Sequence, residues 1–299
     1  MCQMMPSPPH TPASNANVEA ALAAAVSGFK GTLGIAAKNL ITGEEIGLNR
    51  DTRFPTASTI KIAVMLAVYE LSAANELALD TPITLRDADK VGGSGVLSGL
   101  HDGLILTVAD LVHLMIVLSD NTATNLLVTR VGTASINARL AAYGLTDTRL
   151  FRPTFRDGRA DVHPELEREF GLGMTTPREM TKLLAFIAEG KAVSPGASAA
   201  MLSTLRRQQD RAMIPRLLPA VDGLEIGNKT GTDAEKQATR DGTRRHVRGD
   251  VAIVSGPGIR YVVAILTRGV EDTRWGIEND AITTGAKLSR IIYDYFTRQ

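Results

Sequence analysis

Segments typical of β-strands occur near both ends of this sequence, and segments typical of helices fill its middle. Strands that are distant in sequence share one sheet only if the chain leaves the sheet and later returns, so the helices between them form an insertion. The pattern predicts an α+β fold: an antiparallel five-stranded sheet, flanked by N- and C-terminal helices and interrupted by an inserted all-helical domain. The predicted strands are residues 32–39, 44–48, 224–232, 251–255 and 261–267.

The same pattern divides the chain into parts. We expect residues 16–61 and 215–299 to form a discontinuous α/β sheet domain, and residues 62–214 to form the helical domain. The predicted helices are residues 17–29, 58–71, 108–118, 123–131, 133–143, 177–189 and 281–296.

Residues 1–15 are predicted to be a flexible tail, because they are rich in Pro, Ser and Met. The tail has no apolar core like that of a secretory signal, so either a signal has been removed or the protein is not exported. Cys2 would suit the lipid-bearing cysteine of a trimmed lipoprotein. A chance cysteine in a flexible tail is the favoured interpretation.

Charge and residue counts exclude several classes of function. The 33 basic and 32 acidic residues leave a net charge of +1, which gives no electrostatic basis for binding nucleic acid or anionic lipid. No apolar run approaches the roughly 18 residues of a membrane span. The five histidines form no His-x-x-x-His pair, and Cys2 is the single cysteine, so a metal site is not expected. No glycine-rich nucleotide motif occurs, and the chemistry is predicted to need no cofactor.

Ser58-Thr59-Ile60-Lys61 is the first candidate catalytic motif. Positions i and i+3 share one face of a helix, so the amine of Lys61 can reach the hydroxyl of Ser58. A serine hydroxyl becomes a good nucleophile when a neighbouring base takes its proton. Lys61 can be that base if burial or a nearby cation lowers its pKa. The motif alone is weak evidence, because Ser27-Gly28-Phe29-Lys30 has the same spacing at an ordinary helix end.

Two further motifs follow in the chain. Ser119-Asp120-Asn121 is either a helix N-cap or a site element in which Ser119 relays a proton to a leaving nitrogen and Asn121 holds a substrate amide. Lys229-Thr230-Gly231 is either an ordinary edge strand with a glycine bulge or the source of a second cation near Lys61. In the functional interpretation, the backbone N–H of Thr232 completes an oxyanion hole.

The three motifs in this order resemble the signature of class A β-lactamases and penicillin-binding proteins. The resemblance extends from residue 18 to residue 296 and includes the local matches Phe54-Pro55, residues 91–97, residues 122–127 and Thr175-Thr176-Pro177. It implies a serine hydrolase that opens the β-lactam amide through an acyl-enzyme on Ser58. A β-lactam or a peptidoglycan peptide would be the substrate of a monomer in the periplasm or outside the cell.

Arg248 follows Lys229 on what the resemblance implies is the neighbouring strand. Similar enzymes keep an arginine there for the substrate carboxylate, which a planar guanidinium binds through paired hydrogen bonds. The alternative is a solvated loop charge, because Arg240, Arg244, Arg245 and His246 lie in the same segment.

The chain departs from the resemblance at the Ω loop, where class A β-lactamases carry a glutamate that positions the deacylation water. Alignment on the Pro-Glu-Leu core places His163 in that position and Glu167 in place of an asparagine. Alignment on residues 148–150 places Thr154 there instead. Glu165 could act as the base if the loop is rebuilt, or it could be a surface charge.

The missing glutamate leaves several functions open. With a working base the protein is a β-lactamase, and without one it behaves as a penicillin-binding protein or D-alanyl-D-alanine carboxypeptidase with slow deacylation. An esterase and a non-catalytic binding module are less favoured. A binding module would not need all five of the residues Ser58, Lys61, Ser119, Asn121 and Lys229.

Overall fold

The computed structural model of the protein describes residues 15–155 and 159–298. The predicted tail, with Cys2, lies outside the described residues except for Asn15, the first residue of the first helix. The strands are β1 (Thr32–Asn39), β2 (Glu45–Leu48), β3 (Phe54–Pro55), β4 (Pro82–Thr84), β5 (Ile105–Thr107), β6 (Arg149–Leu150), β7 (Gly173–Thr175), β8 (Glu225–Ala234), β9 (His246–Gly256) and β10 (Ile259–Arg268). The helices are α1 (Asn15–Val26), α2 (Lys61–Ala73), α3 (Val108–Val117), α4 (Asn121–Val131), α5 (Thr133–Ala142), α6 (Pro164–Phe170), α7 (Pro177–Ala188), α8 (Pro195–Arg206) and α9 (Asp280–Phe296).

The main sheet has five antiparallel strands in the order β2-β1-β10-β9-β8. Strands from the two ends of the chain meet where β1 pairs with β10, with Ile35 opposite Ile265. The predicted sheet and fold class are therefore confirmed. β8 lies at the edge of the sheet, and its register places Thr232 opposite Arg248 and Thr230 opposite Asp250.

Both faces of this sheet are buried, because successive side chains of a strand point to opposite faces. On β9, Val251 and Ile253 pack into the core shared with the inserted helices, while Ala252 and Val254 pack into the core shared with α1 and α9. The first core includes the interior of α2, and the second includes Leu22 of α1 and Ile292 of α9. Burial on both faces explains the near-continuous apolar sequence of the central strands.

Several parts of the helical region differ from the prediction, and two of these are the short strands β4 to β7 and the unpredicted helix α6. The segment at Ser58 is a 3-10 turn, Ala57–Ile60, and the α-helix begins at Lys61. Helix α8 was not predicted, because it begins with Pro195-Gly196 and its sequence is dominated by Ala, Ser and Thr, with few large apolar residues to give a periodic signal. The domain boundaries at residues 61/62 and 214/215 stay a prediction. Among the described helices none is both long and apolar enough to cross a membrane.

Candidate active site

Ser58 lies in the 3-10 turn that precedes helix α2, and it lines a cavity of about 220 Å³. Ser119, Thr230 and Thr232 line the same cavity, so the three sequence motifs meet around Ser58. The preceding residue, Ala57, has a φ of 43°, a left-handed conformation that is costly for a residue with a Cβ. Such strain is often found at functional sites. Here the strained residue belongs to the turn that presents the half-buried Ser58 to the cavity.

Lys61 is fully buried, and its amine points into the loop between α3 and α4. Its Nζ lies 2.8 Å from the carbonyl oxygen of Ser119, 2.8 Å from Oδ1 of Asn121 and 3.2 Å from Oγ of Ser119. Burial lowers the pKa of Lys61 well below its ordinary value, and the nearby charge of Lys229 lowers it further, against an opposing effect of Asp120.

These contacts are compatible with a neutral amine at Lys61. The two carbonyl oxygens only accept hydrogen bonds, so they take two N–H donors of the amine. A neutral amine then keeps one lone pair, and the remaining contact is the hydroxyl of Ser119. A neutral amine has the lone pair that a proton acceptor needs, whereas an ammonium has none.

The hydroxyl of Ser119 lies between the two buried lysines, because Nζ of Lys229 lies 3.1 Å from the same oxygen. Lys229 also donates to the carbonyl of Thr230 at 2.8 Å. Burial lowers the pKa of Lys229 to about 8, although Asp250 and Asp210 partly oppose this effect. Ser119 itself has a φ of 56°, so its backbone is held in a strained conformation where the two lysines converge.

Asp120 positions this loop. Its carboxylate accepts hydrogen bonds from the backbone N–H groups of Val96 (2.7 Å), Leu97 (2.9 Å) and Ala123 (2.8 Å). The last bond caps helix α4, so the N-cap interpretation of this motif holds for Asp120, while Ser119 and Asn121 contact the lysine. Gly95 is required beside it, because a Cβ at this position would lie 2.2 Å from Oδ2 of Asp120.

We expect Asp120→Ala to destabilise the fold by about 3 kcal/mol, since three backbone donors lose their acceptor. The free energy of unfolding in urea measures the effect. Asp110→Ala is the matched control, because the exposed carboxylate of Asp110 accepts from the N–H and the hydroxyl of Thr107, the N-cap of helix α3. The control should lose less than about 1 kcal/mol. Equal losses in the two variants would contradict an anchoring role for Asp120.

Strand β8 passes directly beside Ser58. A Cβ on Gly231 would lie 2.7 Å from the carbonyl oxygen of Thr56 and 3.2 Å from the backbone nitrogen of Ser58. Only glycine allows this approach without a shift of the backbone. The close approach brings the backbone of β8 beside the N–H of Ser58, and it lets Thr232, which is exposed, line the cavity.

Arg248 is buried on β9, only 1% exposed, so the solvated-loop interpretation is wrong. Its guanidinium contacts Nδ1 of His246 at 2.8 Å and donates to the carbonyl of Arg274 at 3.0 Å. It also lies 4.9 Å from the ring centre of Trp275. Burial lowers the pKa of His246, and the Arg248 charge adds to this effect, which favours the neutral ring that can accept from Arg248. Arg248 lines a small space together with Thr230 and Thr232. These two threonines also line the cavity of Ser58, so the two spaces adjoin.

Of the two residues that the alignments offered for the Ω-loop position, Thr154 lies near the turn of Ser58 and His163 does not. The side chain of Asn125, on helix α4, donates to the carbonyl of Thr154 at 2.8 Å and accepts from its N–H at 2.9 Å. Thr154 lines a second cavity together with Ala57, the neighbour of Ser58. His163 instead contacts Arg149 on the surface.

Neither of the Ω-loop glutamates considered from the sequence lies in these cavities. The side chain of Glu165 is 62% exposed and lies 3.4 Å from Nδ1 of His163, so its position gives no support to a catalytic role. Burial would raise the pKa of Glu167, but hydrogen bonds from Lys236 and Arg152 hold it below its ordinary value. Glu167 is therefore an ion-paired structural residue of the loop.

Several residues at the site were not predicted from the sequence. Gln208 and Asp210 line the cavity of Ser58, although they lie in an irregular segment without a recognisable motif. Asp250 is fully buried and accepts hydrogen bonds from Asn228 and from the N–H of Ile214. Burial raises the pKa of Asp250 to about 7. In residues 15–155 and 159–298, no group of three or more His, Cys, Asp or Glu is placed to hold a metal ion.

Comparison with known proteins gives one consistent result. A sequence model described as the β-lactamase enzyme family matches residues 17–296. β-Lactamase L2 of Stenotrophomonas maltophilia is 32% identical over 190 residues, which are 60% of this chain and 59% of that protein. The match thus spans less than two thirds of that curated relative.

Solved structures match over almost the whole chain. A β-lactamase from Sphaerobacter thermophilus is 37% identical, with a TM-score of 0.79 over 96% of this chain and 99% of that one. An ancestral class A β-lactamase is 28% identical, with a TM-score of 0.77 over 93% and 99% of the two chains. A protein named PBP-A is 25% identical, with a TM-score of 0.77 over 98% and 99%.

Proposed function

This chain belongs to the β-lactamase enzyme family, and from that membership we propose that it is a serine hydrolase that opens the β-lactam amide through an acyl-enzyme on Ser58. The observation that carries the proposal is the hydroxyl of Ser119, held between the amines of Lys61 and Lys229 in the cavity of Ser58. Acyl transfer to serine requires a nucleophile, an amine base with a lowered pKa, and a group that relays protons.

In the acylation step, neutral Lys61 takes the proton of Ser58, either directly or through the hydroxyl of Ser119. Oγ of Ser58 attacks the lactam carbonyl, and the developing oxyanion accepts from the N–H groups of Ser58 and Thr232. Ser119 then delivers a proton to the nitrogen of the broken amide, and takes one back from the lysines that contact it. Asn121, whose Nδ2 donates to Gly92 and whose Oδ1 accepts from Lys61, holds the acylamide side of the substrate.

Positive charge on the other side of the cavity suits the carboxylate of a β-lactam. Lys229 and the hydroxyl of Thr230 lie on the edge strand, and Arg248 adds charge from behind them. We assign carboxylate recognition to these three groups, with Gly231 providing the close passage of the strand past Ser58. A peptidoglycan peptide presents a similar carboxylate, so it is the second substrate class that this site suits.

Thr154 in the Ω-loop position favours one alternative, a penicillin-binding protein in which the acyl-enzyme persists. Intact-protein mass spectrometry after brief exposure to benzylpenicillin separates the two, with Ser58→Ala as control. For a β-lactamase we expect an adduct on the wild type that clears while hydrolysed product accumulates. An adduct that stays would identify a penicillin-binding protein. A wild type that forms neither adduct nor product would refute the acyl-enzyme proposal itself.

The expected setting follows from the family. We propose that the protein acts as a monomer in the periplasm or outside the cell, where β-lactams and peptidoglycan peptides occur. Sedimentation of the purified protein tests the first statement, and fractionation of the source cells tests the second.

A further inference from the structure

A groove of about 730 Å³ lies beside the cavity of Ser58. Val117, Gln208 and Gln209 line both spaces. A residue that lines two spaces touches both, so the groove and the cavity lie no further apart than the breadth of one residue. This space, the arginine groove, is named for three of the residues that line it, Arg206, Arg207 and Arg211.

The arginine groove lies on the side of the cavity that handles the leaving nitrogen. Val117 precedes Ser119 by two residues, and Ser119 is the group assigned to protonate that nitrogen. Strand β8 is an edge strand, and its later residue Thr230 lines the cavity while Ile226, near its beginning, lines the groove. Both spaces therefore follow the same strand, and the groove continues from the end of the site that faces Ser119.

Positive charge dominates the arginine groove. Arg206 is paired with Glu225 at 2.5 Å. Arg211 donates to the carbonyl of Ile226 at 2.9 Å and forms no ion pair with a carboxylate among the described residues. Arg207 is exposed, and within residues 15–155 and 159–298 its guanidinium has neither a hydrogen-bond partner nor an ion-pair partner. Two guanidinium charges of the groove are thus without a paired carboxylate.

The segment that carries these arginines is fixed to the end of helix α3. Gln208 is buried, and its Nε2 donates to the carbonyl of Ile116 at 2.7 Å while its Oε1 accepts from the N–H of Asp210 at 3.0 Å. The N–H of Gln209 donates to the carbonyl of Val117 at 3.2 Å. A ligand that enters the groove therefore meets a backbone that is already ordered, which lowers the entropic cost of binding.

One carboxylate opposes the arginines near the junction of the two spaces. Asp210 lines the cavity of Ser58 but is not among the residues that line the groove. Its Oδ1 accepts from the N–H of Ala212 at 3.1 Å. An anion in the groove is attracted by Arg207 and Arg211 and repelled by Asp210, so the net preference for an anion should be modest.

We propose that the arginine groove is a subsite for a sulfonate or carboxylate borne by a substituent of the ring that contains the leaving nitrogen of a β-lactam. This inference rests on the proposed function and adds a substrate class to it, cephalosporins with an anionic substituent on that ring. The subsite is separate from the groups assigned to the carboxylate of the ring itself. Apolar side chains between the charges suit the flat part of such a substituent, and they come from Val117, Leu224 and Ile226.

Cefamandole and cefonicid form a matched pair of substrates for the test. Cefamandole carries a methyl group on the tetrazole of its ring substituent, and cefonicid carries a sulfomethyl group there. The second-order rate constant for acylation of Ser58, taken at limiting substrate from loss of the β-lactam absorbance or from the adduct mass, does not depend on deacylation. We expect the wild type to react roughly tenfold faster with cefonicid, as for an anion beside two solvent-exposed cations. This ratio should approach one as salt is raised to about 0.5 M.

Variants of Arg207 test whether the groove supplies the preference. The ratio of the two rate constants should fall about threefold in Arg207→Gln and about tenfold in Arg207→Glu, as for one and two units of charge at an exposed position. A general loss of activity cancels, because the ratio is taken within each variant. Arg130→Gln is the matched control, since Arg130 is also exposed but lines a different cavity. It should keep the wild-type ratio.

The possible failures of the two proposals are distinguishable. A wild type that reacts equally fast with the two cephalosporins, or a ratio that is unchanged in Arg207→Glu, would overturn the anion subsite and leave the proposed function in place. A wild type that consumes neither cephalosporin and forms no adduct with either of them or with benzylpenicillin would overturn the proposed function.

Discussion

Replacing Lys61 with methionine is expected to lower the acylation rate of Ser58 by roughly 10³-fold, as for the loss of a general base. Methionine keeps the unbranched shape and fits the buried position, but it has no lone pair that accepts a proton at neutral pH. The rate at which the benzylpenicillin adduct appears, at limiting substrate, measures the effect. Two acceptors lose their donor in this variant, the carbonyl of Ser119 and Oδ1 of Asn121, so the melting temperature should be recorded beside the rate.

Lys61→Arg distinguishes a base from a fixed positive charge at this position. A guanidinium stays protonated in proteins, so it can supply charge and hydrogen bonds but cannot take the proton of Ser58. If Lys61 acts as the base, Lys61→Arg should be nearly as slow as Lys61→Met. If Lys61 acts through its charge, Lys61→Arg should retain much of the wild-type rate, and that result would contradict the proposed acylation step.

The fold was predictable where strands are apolar on both faces, and it was less predictable where polar residues are buried. Strand β1 begins and ends as predicted, at residues 32 and 39. Strand β9 was predicted to begin at residue 251, but it begins at His246. The polar run that includes His246, Arg248 and Asp250 resembled a loop, yet all three side chains are buried. Some of their partners come from distant segments, such as Arg274 for Arg248 and Ile214 for Asp250. Such pairs cannot be recognised from the local sequence.

The candidate site shows the same division between local and distant information. Spacing predicted that Ser58 and Lys61 are neighbours, and the two later motifs were recognisable from their residue types. The contact of Asn125 with Thr154 joins residues 29 apart in the chain. Sequence reasoning therefore named candidates for the acylation groups and left the deacylation base open.

The activity of the wild type is expected to fall about tenfold per pH unit above a pH near 8, because burial lowers the pKa of Lys229 to about 8. Lys229 is a cation below that pH and a neutral amine above it. The cation favours the substrate carboxylate and helps to orient the hydroxyl of Ser119, so kcat/KM should decline as the charge is lost. A pH profile of the hydrolysis of a chromogenic cephalosporin measures the decline.

Loss of activity through titration of Lys229 can be separated from unfolding, because the two have opposite dependences on pH. Because the folded pKa of Lys229 lies below that of the unfolded chain, the unfolded state binds more protons between about pH 8 and 10, and this residue alone makes the fold more stable as pH rises. Lys229→Arg keeps its charge across this range, so its alkaline decline should move to higher pH. Lys236→Arg, at a partly exposed position, is the control and should keep the wild-type profile. An unchanged decline in Lys229→Arg would assign the titration to another group, of which the coupled amine of Lys61 is the first to test.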